Sequence, residues 1–115
     1  MNIKYALSAY YVIVPAEIAS NLSRYDGIRY GFRSKNSDNL NDLYKNTRDE
    51  GFMAENKRRI MIGNFVLSSG FYDAYFLQAA KVRTLITKEY EKAFLKCDYI
   101  LMPISPNPPL RLAKK

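Results

Sequence analysis

The run Lys57-Arg58-Arg59 stands at the head of an apolar stretch, Ile60 to Leu67, interrupted only by Gly63 and Asn64. If that stretch is a helix, its first turn carries cations where the macrodipole disfavours each by about 0.3–1 kcal/mol. Arg59 is the one that spacing turns inward, because it adjoins Ile60 and lies three residues before Ile62. A cation on that side needs an anion, since an uncompensated buried charge costs about 3–5 kcal/mol. Two anions would serve: a structural Glu or Asp, or the carboxylate of a ligand. Spacing alone leaves both open. For a ligand, the planar guanidinium grips a carboxylate at two points. A hydroxyl from the Tyr10-Tyr11 pair could complete such a pocket.

Three other groupings could carry chemistry. In SRYDGIRYGFRSK, Arg24, Arg29 and Arg33 interleave with Tyr25, Tyr30 and Phe32. Cations for phosphates beside aromatic faces for bases is how single-stranded nucleic acid is held. Arg29-Tyr30-Gly31-Phe32 matches only part of an RNP1 box, and a loop packed by its own aromatics fits the same residues. Ser68-Ser69 with nearby lysines superficially suits a Ser-Lys nucleophile, but paired serines at a helix break ordinarily cap. Asp49-Glu50 is an exposed carboxylate pair with no spacing that argues for acid–base work.

The elements that must position these groups are mostly helical. Tyr5 to Leu22 contains Tyr10-Tyr11-Val12-Ile13-Val14, which has strand propensity. We read it instead as a helix capped by Ser8 and kinked at Pro15. Asp26-Gly27 signals a turn, after which Ile28-Arg29-Tyr30 is a short strand ended by Gly31. Asn39 caps a short helix with Asp42 at its third position, and Gly51 is its left-handed stop. Ile60 to Leu67 is apolar nearly all round and is expected to be buried.

After a break at Ser68-Ser69-Gly70, with Ser69 as N-cap, a second helix runs from Phe71 to about Lys96. Tyr72, Tyr75, Ala79, Val82, Ile86, Tyr90 and Ala93 form its core stripe. Tyr99 to Met102 is a buried strand candidate closed by Pro103, and the proline-rich tail from Ser105 continues no regular structure.

At 115 residues the chain has room for one domain. It has no histidine and only Cys97, which removes His-based triads and general bases, and leaves too few ligands for a zinc site. One cysteine forms no internal disulfide and suits a reducing cytosol. No apolar run approaches a membrane span, and MNIKYALSAYYVIV lacks a signal-peptide cleavage region. A net charge of +7 permits nucleic acid or an acidic protein as partner without choosing between them.

AYYVIVPAEIASNLSRYDGIRYGFRS, DLYKNTRDEGF and KRRIMIGNFVLSSGFYDAYFLQAAKVRTLI resemble, in that order, a contiguous part of the amidase-signature family. Two motifs, NLSRYDGIRYG and KRRI-x-x-G-x-x-x-LSSG-[FY]-YDAY, narrow the resemblance to the A subunits of the tRNA-dependent amidotransferases. The likeness runs nearly gap-free from about Lys4 to Pro106.

The resemblance implies an α/β fold, a mixed central sheet covered by helices, of which this chain is a helix-rich portion with two long helices in series and short strands. It implies a subunit that hydrolyses glutamine and supplies ammonia, so that Glu-tRNA(Gln) becomes Gln-tRNA(Gln). The expected partners are B and C subunits. ATP and Mg are expected in the B subunit, with no cofactor in this chain. The setting is cytoplasmic, with no membrane contact and no direct contact with nucleic acid.

The family's pocket tyrosine and the second arginine of Lys-Arg-Arg-Ile map to Tyr10 and Arg59, as substrate-binding residues. The family's nucleophilic Ser, cis-Ser and Lys belong upstream of the matched region, and the acid that holds the substrate amino group belongs beyond Lys115. Residues 1–115 therefore read as an interior segment of an amidase domain, inactive alone, with no catalytic residue of its own. Both ends depart from the family, at Met1-Asn2-Ile3 and at Pro109 to Lys115, which suggests a truncated gene or a piece that assembles with separately encoded partners. The alternative from another class is a small basic module that binds RNA or protein.

Overall fold

The computed structural model describes residues 2–103 together with Ser105 and Asn107. A single 3-10 turn, Asn2–Tyr5, leads into α1, Ala6–Leu22. Helix α2 is Leu40–Gly51 and α3 is Ala54–Leu67. A π turn, Asp73–Leu77, then opens α4, Gln78–Phe94.

Helix α1 is the hub, packed mainly on α3 and next on α4. Small residues make the α1–α3 crossing close: Ala16 and Ala19 are buried, and Ala16 keeps only 2% of its surface exposed. Opposite them Gly63 leaves no room at all. A Cβ built there would lie 2.1 Å from the Pro15 carbonyl oxygen and 2.6 Å from the Ala19 Cβ. At the other edge of α1, the Asn2 backbone N–H and side-chain amide both donate to the Glu89 carboxylate, which ties the chain start to α4.

The segment 23–39 and α2 form a lobe held by its own contacts. Asp26 Oδ1 accepts from the backbone N–H groups of Ile28 and Arg29 at 2.9 and 3.0 Å. Those donors hold its carboxyl below the usual range. Gly27 (φ 76°) sits tight against the Thr47 side chain, where a Cβ would lie 2.7 Å away. Ser34 donates its N–H to Thr47 Oγ1 and its hydroxyl to Glu50, while Arg48 donates to the Leu22 carbonyl.

Several expectations are overturned, the α/β fold class first. Among the described residues there is no strand and no sheet, and the regular structure is all helical. Ile28-Arg29-Tyr30 bends instead of extending, because it is bracketed by two glycines of positive φ and closed by the Gly27 N–H donating to the Tyr30 carbonyl. Tyr99 to Met102 is irregular, with Leu101 fully exposed, since no neighbouring strand is present among the described residues to satisfy its backbone.

Helix α3 is not buried all round: Ile60, Gly63 and Val66 are covered, whereas Met61 is 72% exposed and Phe65 is exposed as well. Gly51 is not left-handed. It stays helical, and the helix ends where Phe52 turns extended (φ −109°, ψ 128°). Ser69 does not cap. The break is closed by the N–H groups of Phe71 and Tyr72, which both donate to the Ser68 carbonyl.

Other expectations stand in altered form. Tyr10–Val14 is helical as read, but α1 starts before Ser8 and continues through Pro15 to Leu22. Asn39 does cap α2, accepting from the Asp42 N–H at 3.0 Å. In the second long helix Ala79 is buried and Val82, Ile86, Tyr90 and Ala93 are half-buried, but Tyr72 and Tyr75 are exposed. The π turn, marked by the Leu77 N–H donating to the Tyr72 carbonyl, shifts the face by a residue, so Phe76 and Leu77 turn inward instead. Most of the proline-rich tail lies outside the described residues.

Candidate functional site

The crossing that Gly63 allows also sets the site. One turn before Gly63 on α3 stands Arg59, and about one turn before Pro15 on α1 stand Tyr10 and Tyr11. Close approach at the first pair of positions brings the second pair within reach. The two tyrosine rings pack edge to face, with centroids 5.4 Å apart and an interplanar angle of 82°.

Three charged side chains from the first turns of α3 converge there. Arg58 donates from Nε to Glu55 Oε2 and from Nη2 to Oε1, each at 2.8 Å. Arg59 donates from Nε to the same Oε1, also at 2.8 Å. The Arg59 side chain is 32% exposed against 61% for Arg58, so the second arginine of the pair is the more covered. Hydrogen bonding to Glu55, and secondly to the Tyr10 hydroxyl, raises the Arg59 pKa. Arg58 is raised chiefly by Glu55. Glu55, holding Arg58 first and Arg59 second, is lowered to about 2. One carboxylate is shared by two guanidinium groups, so the cluster retains one positive charge. Of the five donors on a guanidinium, Arg59 spends its Nε on Glu55 and has the Tyr10 hydroxyl beside it, which leaves Nη hydrogens over for another acceptor.

The structure brings Arg59 and Tyr10 side by side, and the structural carboxylate left open by spacing is Glu55. That residue was missed as a partner. Its signal was present, since residues three and four apart on a helix are surface neighbours. Tyr10 also lines a groove of about 290 Å³ between α1 and α4, together with Ala9, Ile13, Arg83 and Ile86.

The serine and carboxylate candidates resolve into structural roles. Ser68 donates its hydroxyl to the Phe65 carbonyl at the end of α3. Asp49 pairs with Lys57, and Glu50 accepts from Ser34. In the 23–33 loop, Tyr25 lies against Gly31 and Phe32 against Gly51, yet Tyr25, Tyr30 and Phe32 all stay exposed, so the loop is only partly packed by its own aromatics. Among the described residues no group of three or more His, Cys, Asp or Glu is placed to hold a metal ion. Nor is any described helix long and apolar enough to cross a membrane.

The amidase family model matches residues 1–115, and the chain belongs to the amidase family. Among curated relatives it is similar to the A subunit of glutamyl-tRNA(Gln) amidotransferase from three bacteria. Identity is 57% over 112 residues with the Bacillus velezensis protein, covering 97% of this chain and 23% of the relative. With Persephonella marina it is 56% over 112 residues, at 97% and 23% coverage. With Halothermothrix orenii it is 54% over 113 residues, at 98% and 24%. The chain thus spans about a quarter of the length of the curated relatives it matches.

Proposed function

We propose that this chain is the glutamine-carboxylate wall of the ammonia-supplying A subunit of a tRNA-dependent amidotransferase, working in a complex with B and C subunits. The observation that carries the reading is Arg59, half-covered beside the Tyr10 hydroxyl, with its Nη donors left over after Glu55 is satisfied. An α-carboxylate of glutamine accepts from those donors end-on, and the Tyr10 hydroxyl supplies a further polar contact. The residual positive charge of the cluster matches a single carboxylate. Hydrolysis itself is done elsewhere in the complete subunit, and the exposed apolar faces of α3 and α4 pack against that remainder.

The test is a graft. The matching segment of the Bacillus velezensis A subunit is replaced by residues 2–103 of this chain, and glutaminase activity is followed with the B and C subunits present. The graft is expected to turn over glutamine, and the 115-residue chain alone is not. Arg59→Ala in the graft removes charge-assisted bonds of about 1.5–3 kcal/mol and raises the KM for glutamine about 10- to 150-fold. An unchanged KM refutes the assignment.

A further inference from the structure

We infer that Glu55 is a positioning residue for substrate, a clamp that fixes the orientation of Arg59 and halves the positive charge of the Arg58–Arg59 pair. The inference rests on the carboxylate reading of Arg59 and extends it to a residue with no contact to glutamine. Its basis is geometric. Two adjacent guanidinium groups on consecutive residues repel each other and, unbraced, splay apart into solvent. Here a single carboxylate takes three hydrogen bonds, two from Arg58 and one from Arg59, all at 2.8 Å. The bond to Arg59 is made at Nε, the inner edge of its fork, so rotation of the guanidinium about its stem is blocked while the outer donors stay available.

A glutamate that instead faced the Nη donors would compete with the substrate for them. The Nε contact avoids that competition. It also sets the sign balance: two cations and one anion leave a site suited to one carboxylate, whereas without Glu55 the excess doubles. A neutral ligand gains less from such a site than a carboxylate does.

A structural alternative exists on the same residue, because an acid at the second position of a helix favours the macrodipole wherever its side chain points. The two roles separate by reach. Glu55→Asp keeps the charge at the start of α3 but is one methylene too short to span both arginines. In the grafted, complete subunit, with L-glutamine as the probe, Glu55→Ala and Glu55→Asp are both expected to raise KM about tenfold through misplacement of the guanidinium. Under saturating glutamine kcat stays within about twofold of the parent, the scatter of independent effects. In an Arg59→Ala background, adding Glu55→Ala changes KM by less than about twofold, because Glu55 acts through Arg59.

The proposal is overturned if Glu55→Asp keeps the parental KM, or if Glu55→Ala lowers kcat and the folded fraction with KM unchanged. Its failure is distinguishable from failure of the carboxylate reading. Arg59→Ala with a normal KM sinks both, whereas Arg59→Ala with a raised KM and Glu55→Asp without one sinks the clamp alone. If Glu55→Ala does not fold in the graft, Glu55→Asp and Glu55→Gln carry the test. Glu55→Gln keeps an acceptor for Arg59 Nε but loses the charge, and its KM is expected between that of the parent and that of Glu55→Asp.

Discussion

Gly63→Ala is the smallest change that should take the candidate site apart without touching it. A methyl group at residue 63 would meet the Pro15 carbonyl oxygen at 2.1 Å and the Ala19 methyl at 2.6 Å. The nearer obstacle is main chain in the middle of a helix, so no side-chain rotation relieves it and α1 and α3 must move apart. Overpacking of this kind costs about 1–3 kcal/mol, and a contact this short with backbone belongs in the upper part of that range. Against it stands the better helix propensity of alanine, about 1 kcal/mol. The net is about 1–2 kcal/mol of destabilisation, a factor of about 5–30 in local opening.

Two assays on the grafted protein read this out. Hydrogen exchange by mass spectrometry should show peptides of α1 and α3 exchanging about 5–30 times faster. Peptides of α2 and the 23–39 segment, which hold together through their own contacts, should stay unchanged. The KM for glutamine should rise as well, because Arg59 lies one turn from the forced separation and Tyr10 lies across it. Ala19→Gly added to Gly63→Ala should rescue only in part, since it removes the lesser clash and leaves the carbonyl. Gly70→Ala is the control: nothing lies within 4 Å of a Cβ there and its φ is not positive. If Gly63→Ala protects α1 and α3 as well as the parent does, propensity has outweighed the clash and the close crossing is not what positions the site.

Two further outcomes follow from the same geometry. The Glu55 carboxyl is depressed to about 2 from an ordinary 4.5 by Arg58 and Arg59 on its own helix. Those arginines in turn face Tyr11 and Tyr10 on α1. A depressed acid contributes stability that is fully present above pH 4.5 and lost as pH falls through about 2. The α3 peptides should therefore exchange faster across that window, and the Glu55→Gln variant should lack this component; equal profiles would argue that the ion pairs are not formed in solution. The isolated 115-residue chain should bind an apolar dye strongly and melt without a sharp transition, because Met61, Leu95, Tyr99 and Leu101 are exposed. A cooperative calorimetric melt of a monomer would contradict this.

What could be read from the chain divides by how local its cause is. The Asn39 cap with Asp42, the Asp26-Gly27 turn and the helical stripe from Ala79 to Ala93 depend on residues within a turn or two, and all were legible. Arg59, beside Ile60, is the more covered of the two arginines but still reaches solvent. The strands were misread because strand pairing is a property of neighbours: Tyr99 to Met102 has the composition, but no other strand lies beside it among the described residues. The all-round burial of Ile60 to Leu67 fails for the same reason, since α1 covers only one side of α3. Gly51 was misread differently. It takes no positive φ and instead lies inside the helix against the Phe32 ring, which would be 3.3 Å from a Cβ at that position.

That incomplete coverage bears on the strength of the site itself. The chain's radius of gyration is 19.5 Å, where an enclosed globule of its length would have about 13 Å. Arg59 thus has one wall, made by Tyr10 and Glu55, and its open side faces water. In water an exposed ion pair is worth about 0–1 kcal/mol and is screened by salt. The same guanidinium beside a lowered dielectric attracts a carboxylate several times more strongly. On the carboxylate reading proposed above, Arg59 supplies the geometry and its affinity depends on how far its open side is covered. Met61 and Phe65 lie on the far side of α3 from Arg59, so covering them leaves the guanidinium wet, and drying it takes cover on the edge of α3 that faces Tyr10.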